Sequence, residues 1–199
     1  MLRKFVLTAV LLLITKSAYA VPTWSLDAVG DPGSFLLVGP LHRTQADGSI
    51  AVNASDLDGN GLVDFLDFFS LGNVLGEFFI LDFGTNMIPG DLLPGTYLDA
   101  ERAAFASPGH PGLDFAIDGS GCNMVTGSFT INDIQFAPDN ALTKFDGSFV
   151  DHCEGFDPAV TGTFVYSLTS AVPEPGSIIL LISGISILVG SLVWRSRRA

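Results

Sequence analysis

The chain has 199 residues, a formal net charge of −12, 22 Gly, 11 Pro, 16 Phe and two Cys, and nearly half of it is apolar. That length fits one domain of ordinary size with short extras, and so few charges beside so many apolar residues argue against wholesale disorder. The acidic balance argues against nucleic acid as a partner, because phosphate binding needs clustered Lys and Arg.

The first 20 residues read as a secretory signal peptide. Arg3 and Lys4 form a basic start, Phe5 to Ile14 an apolar stretch, and Ala18-Tyr19-Ala20 a small-x-small cleavage site, with Ala18 and Ala20 as its small residues. Ten apolar residues are too few to span about 30 Å of hydrocarbon. Cleavage after Ala20 leaves an exported body over 21–171. That body holds 20 acids against three bases, Arg43, Arg102 and Lys144, or −17.

In the body, Gly, Pro, Asn and Asp punctuate short runs rich in Phe, Val, Ile and Thr, and no stretch keeps a long 3.6-residue period. Strands are expected at Ser34–Val38, Ser49–Val52, Phe78–Phe83, Gly95–Leu98, Leu113–Ile117, Met124–Phe136, Leu142–Val150 and Val160–Leu168. The fold class is all-β, an antiparallel β-sandwich.

Between the second and third of these runs stands Asp56-Leu57-Asp58-Gly59-Asn60-Gly61-Leu62-Val63-Asp64-Phe65-Leu66-Asp67. Counting Asp56 as one, oxygen side chains fall at one, three, five, nine and twelve, a glycine at six and a backbone carbonyl, that of Leu62, at seven. That is the spacing of an EF-hand calcium loop. It resembles dockerin-type loops more closely, which often end in Asp and lack the entering helix. The calcium ligands expected here are Asp56, Asp58, Asn60, Leu62, Asp64 and Asp67, with Phe68–Leu75 as a short exiting helix. The competing reading is an acidic hairpin turn on Asn60-Gly61.

The last third repeats Gly127-Ser128-Phe129-Thr130, Gly147-Ser148-Phe149-Val150 and Gly162-Thr163-Phe164-Val165. The period of two puts Phe129 with Ile131, and Phe164 with Tyr166, on one strand face. A row of core phenylalanines is favoured over an aromatic ligand platform. Cys122 and Cys153 are the only cysteines, and an even pair in an oxidising compartment reads as a disulfide. Without further ligands nearby they make a poor zinc site. His152 and Glu154 can share a strand face, but beside a bonded cysteine they read as a hydrogen-bonded turn. His42 and His110 are isolated. No Gly-x-Ser-x-Gly, His-Glu-x-x-His or phosphate-cradling loop is present, so no catalytic residues are assigned.

The segment Gly121-Cys122-Asn123, the Gly127–Thr130 strand, His152-Cys153-Glu154 and Pro158–Gly162 resemble a recurrent block of exported bacterial domains. Pro94-Gly95-Thr96-Tyr97 and Pro108–Leu113 are similar to the same set, so the likeness covers roughly residues 92–166. Here Asp118-Gly119-Ser120-Gly121 stands where that set often has an Arg before Gly-Cys-Asn. The resemblance implies a surface domain and no enzyme class.

Residues 172–199 form the last unit. Gly176 to Trp194 is uncharged and just long enough to span a bilayer as a helix. Arg195, Arg197 and Arg198 follow and favour the cytoplasmic side. Immediately before the span stands Pro173-Glu174-Pro175, which stops any helix or strand arriving from the body. The three parts in this order resemble the PEP-CTERM sorting signal of Gram-negative bacteria. The resemblance implies a partner, the membrane peptidase exosortase, which processes the chain near Pro173, Glu174 and Pro175 and discards the helix.

The expected protein is therefore exported through the inner membrane, held there by its C-terminal span, then placed at the cell surface or outside the cell. It is expected to be non-enzymatic, stiffened by calcium at the loop, and associated with acidic exopolysaccharide in a biofilm matrix. The alternatives are a secreted hydrolase acting on glycan and a single-span membrane protein that is never processed.

Overall fold

The computed structural model describes residues 20–169 except 75, 156 and 157. Apart from Ala20, the expected signal peptide and the whole sorting segment, including the span and basic tail, lie outside the described residues. Among the described residues no helix is long and apolar enough to cross a membrane.

Val21–Thr169 forms one compact unit. Its strands are β1 (Val21–Gly30), β2 (Gly39–Thr44), β3 (Gly48–Ser55), β4 (Phe65–Gly72), β5 (Phe78–Gly84), β6 (Gly95–Arg102), β7 (Gly112–Ile117), β8 (Val125–Phe136), β9 (Leu142–Cys153) and β10 (Val160–Thr169). A single 3-10 turn, Ala103–Phe105, is the one helical piece among the described residues. All ten strands join one sheet in the order β2-β1-β10-β9-β8-β6-β7-β5-β4-β3. The all-β expectation holds. The two-sheet sandwich is corrected to a single sheet rolled into a nearly closed barrel. One pairing, β6 with β7, is parallel and only two residues long, so the sheet is not wholly antiparallel.

Alternation explains the roll. Trp24, Leu26 and Ala28 on β1, Leu66 and Phe68 on β4, Phe79, Leu81 and Phe83 on β5, and Leu113, Phe115 and Ile117 on β7 all point inward and are buried. They meet Phe129, Phe145, Phe149, Phe164 and Tyr166 from β8, β9 and β10. Phe68 sits at the centre, with ring centroids 4.6 Å from Phe164, 5.2 Å from Phe145 and 6.4 Å from Phe83. Such pairs contribute about 0.5–1.5 kcal/mol each beyond their area burial.

The Gly-x-Phe repeat belongs to this core. Gly162 lies opposite Phe149, and Gly147 opposite Phe164. A Cβ on Gly162 would come within 2.5 Å of the Phe149 ring, so the missing side chain is the space that ring occupies. The repeat thus interlocks neighbouring strands, and Phe129, Ile131, Phe164 and Tyr166 are all buried as a core reading requires.

No ladder joins the two edge strands, β2 and β3. Their connecting turn makes the closure. The Gln45 N–H donates to the Trp24 carbonyl, while the Trp24 N–H donates to Gln45 Oε1. Asn73, after β4, donates from its N–H to the Asp47 carbonyl and from its amide to the Ala46 carbonyl. Arg43 on β2 reaches Glu77 at 3.1 Å and Asp118 at 3.6 Å.

Two expected elements differ and one strand is additional to those expected. Ser34–Val38 is not a strand; the chain turns there and pairing starts at Gly39. β1 was not expected, although Trp24, Leu26 and Ala28 alternate. The expected exiting helix at Phe68–Leu75 is replaced by strand β4, because Leu66, Phe68 and Ser70 face the core at a period of two. Phe68→Ala is expected to cost about 3–5 kcal/mol, measured by urea unfolding. Phe35→Ala, at a ring 68% exposed, is expected to stay within about 0.5 kcal/mol.

Candidate functional site

The loop between β3 and β4 is the sharpest constellation in the body. Val63, buried at its base, accepts the Leu92 N–H through its carbonyl, and the Asp64 carbonyl accepts the Thr85 N–H. Asp64 itself is buried; its carboxylate accepts the N–H groups of Leu57 at 2.8 Å and Asp58 at 3.0 Å. Asp56 accepts the N–H groups of Gly59, Asn60 and Gly61 at 2.7–3.1 Å. The Gly61 N–H, before the other backbone donors, holds the Asp56 carboxyl below the usual carboxylate range. Gly59 and Gly61 have φ of +78° and +95°, the left-handed turns that let the loop fold back on these carboxylates.

Carboxylate oxygens of Asp56, Asp58 and Asp64 lie within 4.8 Å of one another. A carboxylate offers about four lone-pair sites, so the backbone donors orient these oxygens without exhausting them. Asn60 donates its amide to Asp58 Oδ2 and to Asp91 Oδ1, while its Oδ1 accepts the Leu62 N–H. Asp91, from the loop before β6, is a fourth acid at this site. Nothing in the 56–67 spacing indicated it. Oxygen donors without a neighbouring base suit a hard cation such as calcium.

Asp67 is not in this cluster. The strand that replaces the expected helix turns it onto the outer face of β4, opposite Asp82 on β5. The twelfth ligand position is therefore corrected: Asp56, Asp58 and Asp64 come together and Asp67 does not.

Cys122 and Cys153 are bonded, with Cα atoms 5.2 Å apart, tying the segment before β8 to the end of β9. The neighbouring turn is hydrogen-bonded as expected: Glu154 Oε1 accepts both the N–H and the side-chain amide of Asn123. His42 and His110 are less isolated than the sequence suggests. His42 Nδ1 lies 2.6 Å from Asp27 Oδ1 at the surface, and His110 Nδ1 is 2.9 Å from the Asp99 carbonyl. An open trough of about 710 Å³ crosses β2, β1, β10 and β9 beside the His42–Asp27 pair, with Ser148, Thr161 and Thr163 on its floor.

Each of the body's three bases is ion-paired: Arg43 as above, Arg102 to Asp114 at 3.2 Å, and Lys144 to Asp133 at 2.6 Å. Most of the 20 acids must be accommodated by other means.

The sorting motif is decided by comparison with known proteins. Residues 171–198 match the PEP-CTERM protein-sorting motif. The chain carries an exosortase sorting signal. No curated protein and no solved structure matches the chain. The PEP-CTERM signal makes this a secreted protein that passes through the membrane on its way out, with Pro173, Glu174 and Pro175 inside the matched segment. The function of its β domain has no counterpart in these comparisons.

Cys122→Ser is expected to lower stability by ~3–4 kcal/mol on the chain-entropy model for a 31-residue separation, and to leave one titratable thiol at Cys153. Denaturant unfolding and thiol titration read the two effects.

Proposed function

We propose that this chain is a non-enzymatic surface or matrix component: an acidic β barrel delivered by its sorting signal and stiffened by calcium at the Asp56–Asp64 loop. The observation that carries the calcium reading is the convergence of three carboxylates on one point, held there by five backbone N–H groups. Asp56, Asp58 and Asp64 would hold the ion, with Asp91 beside them through Asn60. Leu62 supplies the carbonyl position of the loop. The ion's role is to offset repulsion among these acids and to lock the β3–β4 connection against the rest of the barrel.

Delivery to the surface follows from exosortase processing near Pro173-Glu174-Pro175, after which residues 176–199 are discarded. Association with acidic exopolysaccharide is then a matter of shared cations. A body of −17 repels a polyanion in the absence of divalent ions and is bridged to it in their presence.

Calcium titration of the chelator-stripped full-length chain in neutral detergent tests this reading. Saturable binding in the range of extracellular modules, about 10⁻⁴–10⁻³ M, with a rise in Tm, is expected. Asp56→Ala/Asp58→Ala is expected to abolish both, whereas Asp67→Ala leaves binding intact. Absence of binding to several millimolar contradicts the calcium reading and reduces the loop to a turn.

A further inference from the structure

β4, β5 and β7 lie side by side, and their registers place Asp67 opposite Asp82 and Asp82 opposite Asp114. All three alternate with buried residues, so they form one row of carboxyls on the outer face of the sheet. Asp67 and Asp82 therefore face one another directly across the β4–β5 ladder. Two facing carboxyls can join by a hydrogen bond only when one of them keeps its proton, because an ionised carboxylate has no donor.

The surroundings offer almost no relief. Asp82 Oδ1 is buried without a hydrogen-bond partner. Asn53 on β3, opposite Asp67, is uncharged. Among the described residues the one cation at this row is Arg102 on β6, whose Nε bonds Asp114 at 3.2 Å. On β9, Asp151 feels the charge of Asp114 and gains some relief from the Phe115 backbone; it is 0% exposed and its Oδ2 has no partner. Its Oδ1 lies 3.9 Å from Cys122 Sγ, a disulfide sulfur with no proton to give. One arginine thus stands beside four carboxyls, and it bonds only Asp114. Like charges directly opposed across a sheet destabilise it, and a buried carboxylate without a counter-charge takes up a proton instead.

We propose that Asp67, Asp82, Asp114 and Asp151 form a proton-held fastening between the β4–β5–β7 side of the barrel and β9, tight in acid and slackened as the medium turns alkaline. Burial first, then the charges of Asp67 and Asp114, push the Asp82 carboxyl up to about 8. Burial first, then Asp114, holds Asp151 at about 7, and burial also raises Asp67 and Asp114.

The unfolded chain releases these protons near the ordinary carboxylate value of about 4, while the folded chain keeps that of Asp82 to about 8 and that of Asp151 to about 7. The folded state therefore binds more protons across that window, so stability falls as pH rises from about 4 to about 8 and levels off above. A carboxylate held by an ion pair would give the opposite slope. For an exported protein this makes barrel stiffness a readout of external pH.

The test is thermal unfolding of the full-length chain in neutral detergent at pH 4.5, 7 and 9, for wild type, Asp82→Asn and Asp67→Asn. Either substitution puts a neutral amide of the same shape where a carboxyl can ionise. The wild-type Tm is expected to fall from pH 4.5 to pH 9. Asp82→Asn is expected to match wild type at pH 4.5 and to exceed it at pH 9 by roughly 3 °C or more. Hydrogen exchange at pH 9 is expected to show greater protection of β5 and β7 in Asp82→Asn than in wild type. If Asp82→Asn does not fold, Asp67→Asn carries the same expectation. Parallel curves of Tm against pH for wild type and the folded variants would overturn the proposal.

Discussion

The barrel depends on one packing constraint: a ten-stranded sheet can roll up only if the inner faces of its two halves fill the space between them. Phe68 does most of this, meeting rings from β5, β9 and β10 at once. The glycines of the repeat make room for those rings, and the register that pairs Gly162 with Phe149 and Gly147 with Phe164 is the one that packs. A slip of one residue would turn every ring outward. The core therefore fixes the register, the register fixes where β4 begins, and the start of β4 decides which acids stay in the loop and which pass onto the sheet.

The second constraint is charge. The body carries 20 acids and three bases, and each base is ion-paired. The other acids are accommodated in separate ways according to their place in the fold. Loop acids such as Asp56 and Asp64 take backbone N–H groups, Asp146 takes a side-chain amide, and burial pushes the carboxyls of the sheet acids Asp82 and Asp151 up to about 8 and about 7. The two proposed responses, to calcium at the loop and to protons on the sheet, rest on different residues: Asp67 belongs to the second and not to the first.

Much of this was readable from the chain. The sorting segment is legible because three unlike parts, a Pro-Glu-Pro stop, an apolar run and an arginine cluster, must follow one another in order. The disulfide follows from a lone pair of cysteines. Strand composition gave the fold class and the position of most strands, and the repeated Gly-x-Phe gave the core. What failed was long-range. Residues 56–67 have calcium-loop spacing, but spacing along the chain cannot see that β4 is needed at the centre of the barrel, and that need removes Asp67. Asp91 joins the loop only through the fold. The aspartate row is invisible in sequence because its members sit 15 and 32 positions apart and meet only through strand register. One sheet rather than two was equally hidden, since the same alternation serves a sandwich or a barrel.

The central claim is that the sorting signal is used, so that the acidic barrel leaves the membrane as a processed surface component. Intact mass of the protein, recovered from an expressing bacterium with and without its exosortase, tests this most directly. The account predicts a product lacking Val21-preceding residues and about 25 C-terminal residues when the peptidase is present, and retention of the C-terminal segment in the membrane fraction when it is absent. An uncut C-terminus in both strains would contradict it.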